Sequence, residues 1–353
     1  MSSPPLPASY LDAHRYDGAV IQHDRRDRLD HCTIQPRDVA LIAAVRRHKF
    51  LTAPQLLELW WPQRSPRAGQ RRLQRLFRAG YLERFRPIAR RGSFPWTYHL
   101  GERGHRLLQD SRLLDSRARY RRRAIYDYSL VLHELQLNAW ALACRRLLGQ
   151  RLLHWHGETD IEPPSEARQG QGRLDTYWSI EGLRIPQPRL LRPDTILEFV
   201  ANEDDPGESI TLVVEFDRTR RLDKNWEKFR RYDAFVCSWW LHTAWGERDE
   251  PPYVLFVCQD ADHREQFLRG ADHQLTGHRW HPSAPRDQHD HVGRQRILFA
   301  VEADAHRGLL EAWRLPAFPP GHPARDKNVH GLVLAGSPQG AAAQAQLRLP
   351  AAA

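Results

Sequence analysis

Two apolar runs, 195–200 and 211–216, separated by the acidic turn Asn202-Glu203-Asp204-Asp205-Pro206-Gly207, do most to limit what this chain can fold into. Their length and composition read as neighbouring β-strands joined by a turn. Arg192-Pro193-Asp194 stands just before the first run, and Glu215-Phe216-Asp217 closes the second. Carboxylates therefore fall at the ends of two adjacent strands. Downstream, Leu222–Cys237 has the pattern of a helix, with Lys224 and Lys228 one turn apart on it, and 253–257 reads as a short strand buried in a sheet. Upstream, 125–149 carries Leu130, Leu132, Leu135, Leu137, Trp140 and Leu147 and predicts one long buried helix. Strands are also expected at 152–155 and 174–180, with a loop over 162–172 between them.

At 353 residues the chain exceeds the usual length of one domain, and a hydrophobic fraction of 41% is enough for packed cores. The N-terminal third has its own punctuation. Val39, Leu41, Ile42 and Val45 mark one amphipathic helix, and Thr52 caps a second that bears Leu56, Leu57 and Trp60 and stops at Pro62. Ser65-Pro66 opens a third helix, which Gly80 ends. On it Leu73, Leu76 and Phe77 form an inward stripe, while Arg67, Arg71, Arg72, Arg75 and Arg78 occupy other faces. Strands at 81–85 and 95–100 follow, joined by a basic turn with Arg90 and Arg91. Three helices and a β-hairpin is the order of a winged helix-turn-helix, whose third helix enters the major groove while the hairpin tip reaches adjacent backbone.

The charge supports this placement. The formal net charge is +10, and residues 31–125 hold 22 Lys and Arg against 6 Asp and Glu, a balance of +16 that leaves the rest of the chain net acidic. A regional basic surface draws polyanions by counterion release. Double-stranded DNA is the expected partner, with Arg71 and Arg75 the leading groove contacts; a merely solvated helix face is the bland alternative.

Phosphodiester hydrolysis needs an activated water and neutralisation of charge on the phosphate and leaving oxygens, which one or two magnesium ions supply. Hard cations take oxygen ligands, so Asp194 and Glu215 form a minimal pair for Mg2+ or Mn2+, with the Phe216 carbonyl close by. The arrangement resembles the PD-(D/E)xK nuclease superfamily. Pro193-Asp194 matches its first half and Glu215-Phe216-Asp217 occupies the second, but Asp217 stands where that superfamily has Lys. The resemblance implies two compensations: a lysine supplied from the following helix, Lys224 or Lys228, and a further metal carboxylate, Glu134, on the long helix. Asp217 would then be an auxiliary acid.

Over about residues 37 to 260 the chain also resembles the replication-relaxation family of plasmid, phage and integrative-element proteins. The resemblance rests on the basic winged helix, His133-Glu134-Leu135-Gln136-Leu137-Asn138, the Arg-Pro-Asp strand, Glu215-Phe216-Asp217-Arg218-Thr219, and the Lys228-to-Tyr232 spacing. It implies a DNA-handling or DNA-nicking role. The fold expected is α+β or α/β: a winged helix-turn-helix followed by a restriction-endonuclease-like mixed sheet flanked by helices. The expected segments are a flexible lead-in (1–35), the DNA-binding domain (36–110), a basic linker (111–123), the nuclease-like domain (124–315) and a flexible tail (316–353).

Two functions stand open at this level. One is a magnesium-dependent nuclease of a plasmid or other mobile element; the other is a non-catalytic regulator or replication accessory with a degenerate nuclease fold. In bland readings Glu215 and Asp217 pair with Arg218, Arg220 or Arg221 at the surface, and Glu134 is a core partner of His133. A homodimer and replication or mobilisation proteins are compatible partners. Cys32, Cys144, Cys237 and Cys258 lack zinc or disulfide spacing, residues 1–20 lack the apolar core of a signal peptide, and 235–245 is too short and polar to span a bilayer. A cytoplasmic protein without a membrane partner is expected. His273, His278, His281, His289 and His291 read as a polar loop, and Trp239, Trp240 and Trp245 as packing residues.

Overall fold

The computed structural model describes residues 21–24, 29–62, 65–87, 94–121, 128–162, 168–171, 176–180, 183–186, 190–202, 205–218, 222–237, 239–248, 250–275, 292–326 and 330–335. It divides into two units, Met1–Leu142 and Ala143–Ala353. The first contains β1 (Ile21–His23), α1 (Pro36–Arg47), β2 (Leu51–Thr52), α2 (Ala53–Trp60), α3 (Pro66–Arg78), β3 (Leu82–Pro87), β4 (Thr97–Leu100), α4 (Glu102–Asp110) and the first part of α5 (Tyr128–Leu148).

The helices start and stop where the sequence places their signals. Thr52 accepts from the Gln55 amide at 3.4 Å, and Gln55 Oε1 accepts from the Thr52 amide at 2.8 Å, a reciprocal cap for α2. Pro66 opens α3, and Gly80, at φ +81°, ends it in the left-handed conformation that costs a residue without Cβ least. Leu41, Ile42, Val45, Leu56, Leu73, Leu76, Phe77 and Tyr98 form the core beneath these helices.

The four-stranded sheet has the order β1-β3-β4-β2. Ile21–His23 thus lies inside the segment expected to be a flexible lead-in, yet it pairs antiparallel with β3, and Arg84 Nε donates to Asp24 Oδ2 at 2.7 Å. Three residues are too few to show a period, so only the long-range pairing reveals the strand. Helix α4 was likewise hidden. Gly104 lowers its helix propensity, but a Cβ there would lie 2.2 Å from the Tyr81 carbonyl oxygen, so the glycine serves a close approach.

The second unit contains the end of α5, then β5 (Leu152–His156), β6 (Arg168–Gln171), β7 (Thr176–Ile180), β8 (Leu183–Pro186), β9 (Thr195–Asn202), β10 (Asp205–Phe216), α6 (Leu222–Cys237), β11 (Tyr253–Cys258), α7 (Ala261–Gln274), α8 (Val292–Arg296), β12 (Ile297–Val301), α9 (Glu302–His306), β13 (Leu310–Arg314) and β14 (His330–Ala335). Seven strands form one sheet, ordered β14-β13-β12-β11-β10-β9-β5, and β6, β7 and β8 form a separate three-stranded sheet. β10, β11 and β12 run parallel, while β9, β13 and β14 pair antiparallel with their neighbours. The chain is therefore a mixed α+β protein.

Aromatic rings fill the core on one face of the large sheet. Phe229 of α6 meets Phe256 edge-on at 4.8 Å, with Phe267 and Phe299 close by. Trp239, Trp240 and Trp245 are buried in the same cluster, as packing residues.

The last part of the sheet falls within the segment expected to be a flexible tail. There β14 pairs with β13, and the connection is clipped by a buried guanidinium. Arg294 donates to the carbonyls of Pro316 at 2.7 Å and Leu275 at 2.8 Å, while Arg325 donates to Asp272 at 2.7 Å. A polar network of this kind leaves no hydrophobic period in the sequence. All four cysteines are free thiols. Among the described residues no helix is long and apolar enough to cross a membrane.

Candidate functional site

Strand β9 pairs antiparallel with β10 so that Thr195 lies opposite Val214, which sets Asp194 beside Glu215 at the end of the hairpin. The Asp194 amide donates to the Val214 carbonyl at 3.0 Å, and Asp194 Oδ2 accepts from the Phe216 amide at 2.7 Å. The backbone of β10 thus holds the Asp194 carboxylate. Glu215 projects to the face covered by α6, the face that also receives Val213.

Helix α6 answers with Asn225, Lys228 and Tyr232, at i, i+3 and i+7 on one side. Lys228 Nζ donates to Glu215 Oε2 at 2.6 Å, and the Tyr232 hydroxyl donates to Glu215 Oε1 at 2.6 Å. Asn225 Nδ2 donates to Asp217 Oδ2 at 2.7 Å. One helix face therefore serves both carboxylates of β10 and the turn after it. His263, wholly buried, has Nε2 3.9 Å from Asp217 Oδ1 and accepts the Gln259 amide at Nδ1. In the neutral ring that acceptor role puts the proton on Nε2, toward Asp217.

Burial pushes the Glu215 carboxyl up to about 7, with the Asp194 charge adding to the rise and Lys228 and Tyr232 opposing it. For Lys228, burial works against the ammonium, but Glu215, Asp194 and Asp217 outweigh it and the group is raised overall. The Tyr232 phenol is also raised, by burial and then by Glu215, so it serves as a donor. Glu198, on β9, makes the contrast: the His156 imidazole 3.8 Å away, then Trp245 and Arg248, hold it down to about 2 despite partial burial. Environment separates the two acids. The Lys228 side chain is 42% exposed while that of Glu215 is 4% exposed, so solvent reaches the cluster from the lysine side.

The structure thus brings together Asp194, Glu215 and Lys228, with Asp217 alongside. Lys224 lies on the same helix, with its side chain outside the described residues. Glu134 belongs to the first unit, where it accepts from Lys49 Nζ at 2.6 Å. Tyr232, Asn225 and His263 were not singled out as site residues. For the first two the signal is local, since Asn225 three positions before Lys228 and Tyr232 four positions after it share its helix face. His263 becomes visible only when β11 is placed beside β10.

Among the described residues no three His, Cys, Asp or Glu side chains converge as a metal shell. The donor set at Asp194 and Glu215 is of the oxygen kind that hard divalent cations take: two carboxylates close enough to repel, one of them held from water, with the Lys228 ammonium against it.

In the first unit, Arg67, Arg71, Arg75 and Arg78 are exposed along one stripe of α3, opposite Leu73, Leu76 and Phe77. Arg72 departs from that expectation. Its Nε donates to Asp38 Oδ1 at 2.9 Å and Nη2 donates to the Thr33 carbonyl at 2.8 Å, so it braces α3 against α1. Asp38 is fully buried and also accepts the Gln35 amide. Asp38→Ala is expected to cost about 3 kcal/mol by leaving the mostly buried guanidinium without its partner. Denaturant unfolding checks this, and an unchanged midpoint contradicts it. Arg90 and Arg91 lie outside the described residues.

Fold and site together define a two-unit α+β protein with a carboxylate and lysine cluster at the end of a mixed sheet. The chain belongs to the replication-relaxation family, whose sequence profile matches residues 42–244 and so includes α3, Asp194, Glu215 and Lys228. No curated protein and no solved structure matches it.

Proposed function

We propose that this chain is a DNA-binding protein of a plasmid or other mobile element, acting in replication or relaxation, with a magnesium-dependent nuclease-like centre that nicks or cleaves DNA. In this reading the first unit is a winged helix-turn-helix whose helix α3 enters the major groove, and the second is a restriction-endonuclease-like sheet of the PD-(D/E)xK kind. The observation that carries it is the Lys228 ammonium of α6 on Glu215 at the end of β10, with Asp194, just before β9, beside them. Lys228, from the helix, takes the place of the lysine that Asp217 displaces.

Asp194 and Glu215 would hold Mg2+ or Mn2+, which would supply Lewis-acid activation of a water and offset charge on the leaving oxygen. The protein's own groups set the conditions for it. Phe216 N–H fixes the Asp194 carboxylate, Tyr232 orients Glu215, and the Lys228 ammonium favours the ionised carboxylate that a cation needs. Facing solvent, the same ammonium is placed to offset charge on a phosphate.

A non-catalytic accessory with a degenerate nuclease fold is the second reading. It is favoured by the two donors that already cover both oxygens of Glu215. Supercoiled plasmid incubated with the protein and Mg2+ or Mn2+ decides between them. Conversion to open-circular or linear DNA, stopped by a chelator, is expected; retardation of plasmid that stays supercoiled with every divalent cation leaves the accessory role.

A further inference from the structure

The stretch after α4, expected to be a polar linker, is held against the first unit. Gln109 Nε2 donates to the carbonyls of Asp115, Ser116 and Ala118 at 3.1, 2.9 and 3.0 Å. His105 Nε2 meets the Ala118 carbonyl at 2.9 Å, and the Tyr120 ring packs edge-on against His105 at 5.6 Å. The Tyr120 hydroxyl donates to the Leu100 carbonyl at 3.5 Å. Backbone and side chain are thus tied at several points.

That anchoring sorts the side chains. Ala118 and Tyr120 are half-buried, whereas Arg117, Arg119 and Arg121 are exposed. Arg117 sits in the turn in which the Ala118 amide donates to the Asp115 carbonyl at 3.0 Å, and its own amide donates to Asp115 Oδ1 at 2.8 Å; beyond that turn Arg119 and Arg121 alternate with the two half-buried residues. Three arginines within five residues are therefore exposed along a stretch whose backbone is pinned by Gln109 and His105.

The stretch also lies near the end of α3. The Gly101 amide donates to the Tyr81 carbonyl at 3.0 Å, and the Arg103 amide donates to the Gly80 carbonyl at 3.2 Å, which places the start of α4 beside the C-terminus of α3. His105, one turn into α4, holds the strip there. A solubilising loop needs no such fixation, because ordering long arginine side chains and their backbone costs entropy.

We propose that residues 117–121 form a second phosphate-binding strip, in which Arg117, Arg119 and Arg121 contact the backbone of duplex DNA beyond the end of the α3 footprint. This rests on the DNA-binding reading above and adds to it a contact that carries affinity without reading sequence.

Fluorescence anisotropy of a labelled duplex, titrated with the full chain across a salt series, tests it. The triple variant Arg117→Ser, Arg119→Ser, Arg121→Ser is expected to lower the slope of log affinity against log salt by about 2.7 and the affinity at 0.15 M salt on the order of a hundredfold. Each single substitution is expected to lower the slope by about 0.9, which keeps the test sound if the triple variant folds poorly. Triple replacement by lysine is expected to retain the wild-type slope. Wild-type binding with an unchanged slope in the serine variants overturns the strip alone. A wild-type chain that does not bind duplex DNA overturns the strip together with the reading beneath it.

Discussion

Reversing Arg71 and Arg75 to glutamate is expected to weaken duplex binding by about a thousandfold at physiological salt, because two phosphate-directed charges are lost and two repulsive ones replace them. Both side chains are exposed and adjacent on α3, and neither takes part in the brace that Arg72 makes with Asp38. The fold should therefore survive the change, with thermal unfolding close to wild type. Binding should also become less salt-sensitive. Affinity and salt dependence equal to wild type remove α3 from the DNA interface, whatever the second unit does.

The second large effect is expected at Lys228. Lys228→Ala removes the cation that stands 2.6 Å from Glu215 and is expected to lower DNA cleavage by about a hundredfold, the order of losing one preorganised charge-stabilising group. It also changes the pH dependence. Glu215 is raised to about 7, chiefly by burial, so in the wild type the carboxylate is protonated below that range and cleavage should rise as pH increases through it. Lys228 opposes the rise, so its removal should move the ascending limb to higher pH. A rate profile whose limb stays in place in Lys228→Ala separates the lysine from Glu215 and contradicts the assignment. Binding of DNA should be nearly unchanged, which distinguishes this variant from the α3 reversal.

The sequence made visible those parts of the molecule that rest on local rules. Thr52 with Gln55, Ser65-Pro66 and Gly80 mark helix ends, because caps and breakers act within a few residues. The hairpin that joins Asp194 to Glu215 was legible because its two apolar runs and acidic turn are contiguous. Lys228 could be placed near it from the helix that follows. What stayed hidden depends on distant partners. Ile21–His23 is a strand only because β3 lies beside it, and β14 pairs with β13 after a connection pinned by Asp272, Arg294 and Arg325, which come from separate segments. Arg72 looked like its neighbours on α3, and only the packing of α1 showed that Asp38 claims it. The strip at 117–121 read as linker because its order comes from Gln109 and His105 binding backbone carbonyls, which any residues could present.

Glu215 joins these two levels. Its position at the end of β10 follows from strand pattern, but its chemistry follows from burial under α6 and from Tyr232 and Lys228. A carboxylate at the same place without that cover would ionise in the ordinary range. The protein keeps such an acid next to a second carboxylate, Asp194, and balances it with a lysine open to solvent. Clusters of this type are enriched at functional sites.

Cleavage by the carboxylate and lysine cluster is tested by comparing wild type with Asp194→Ala on supercoiled plasmid in the presence of Mg2+, with duplex affinity measured in parallel. Asp194 contributes a carboxylate bonded to the Phe216 amide, outside the hydrophobic cluster, so its loss should leave DNA binding intact. The wild type is expected to convert plasmid to open-circular or linear DNA, and Asp194→Ala to do so at least about a hundredfold more slowly at equal binding. Equal cleavage by the two proteins would contradict that assignment.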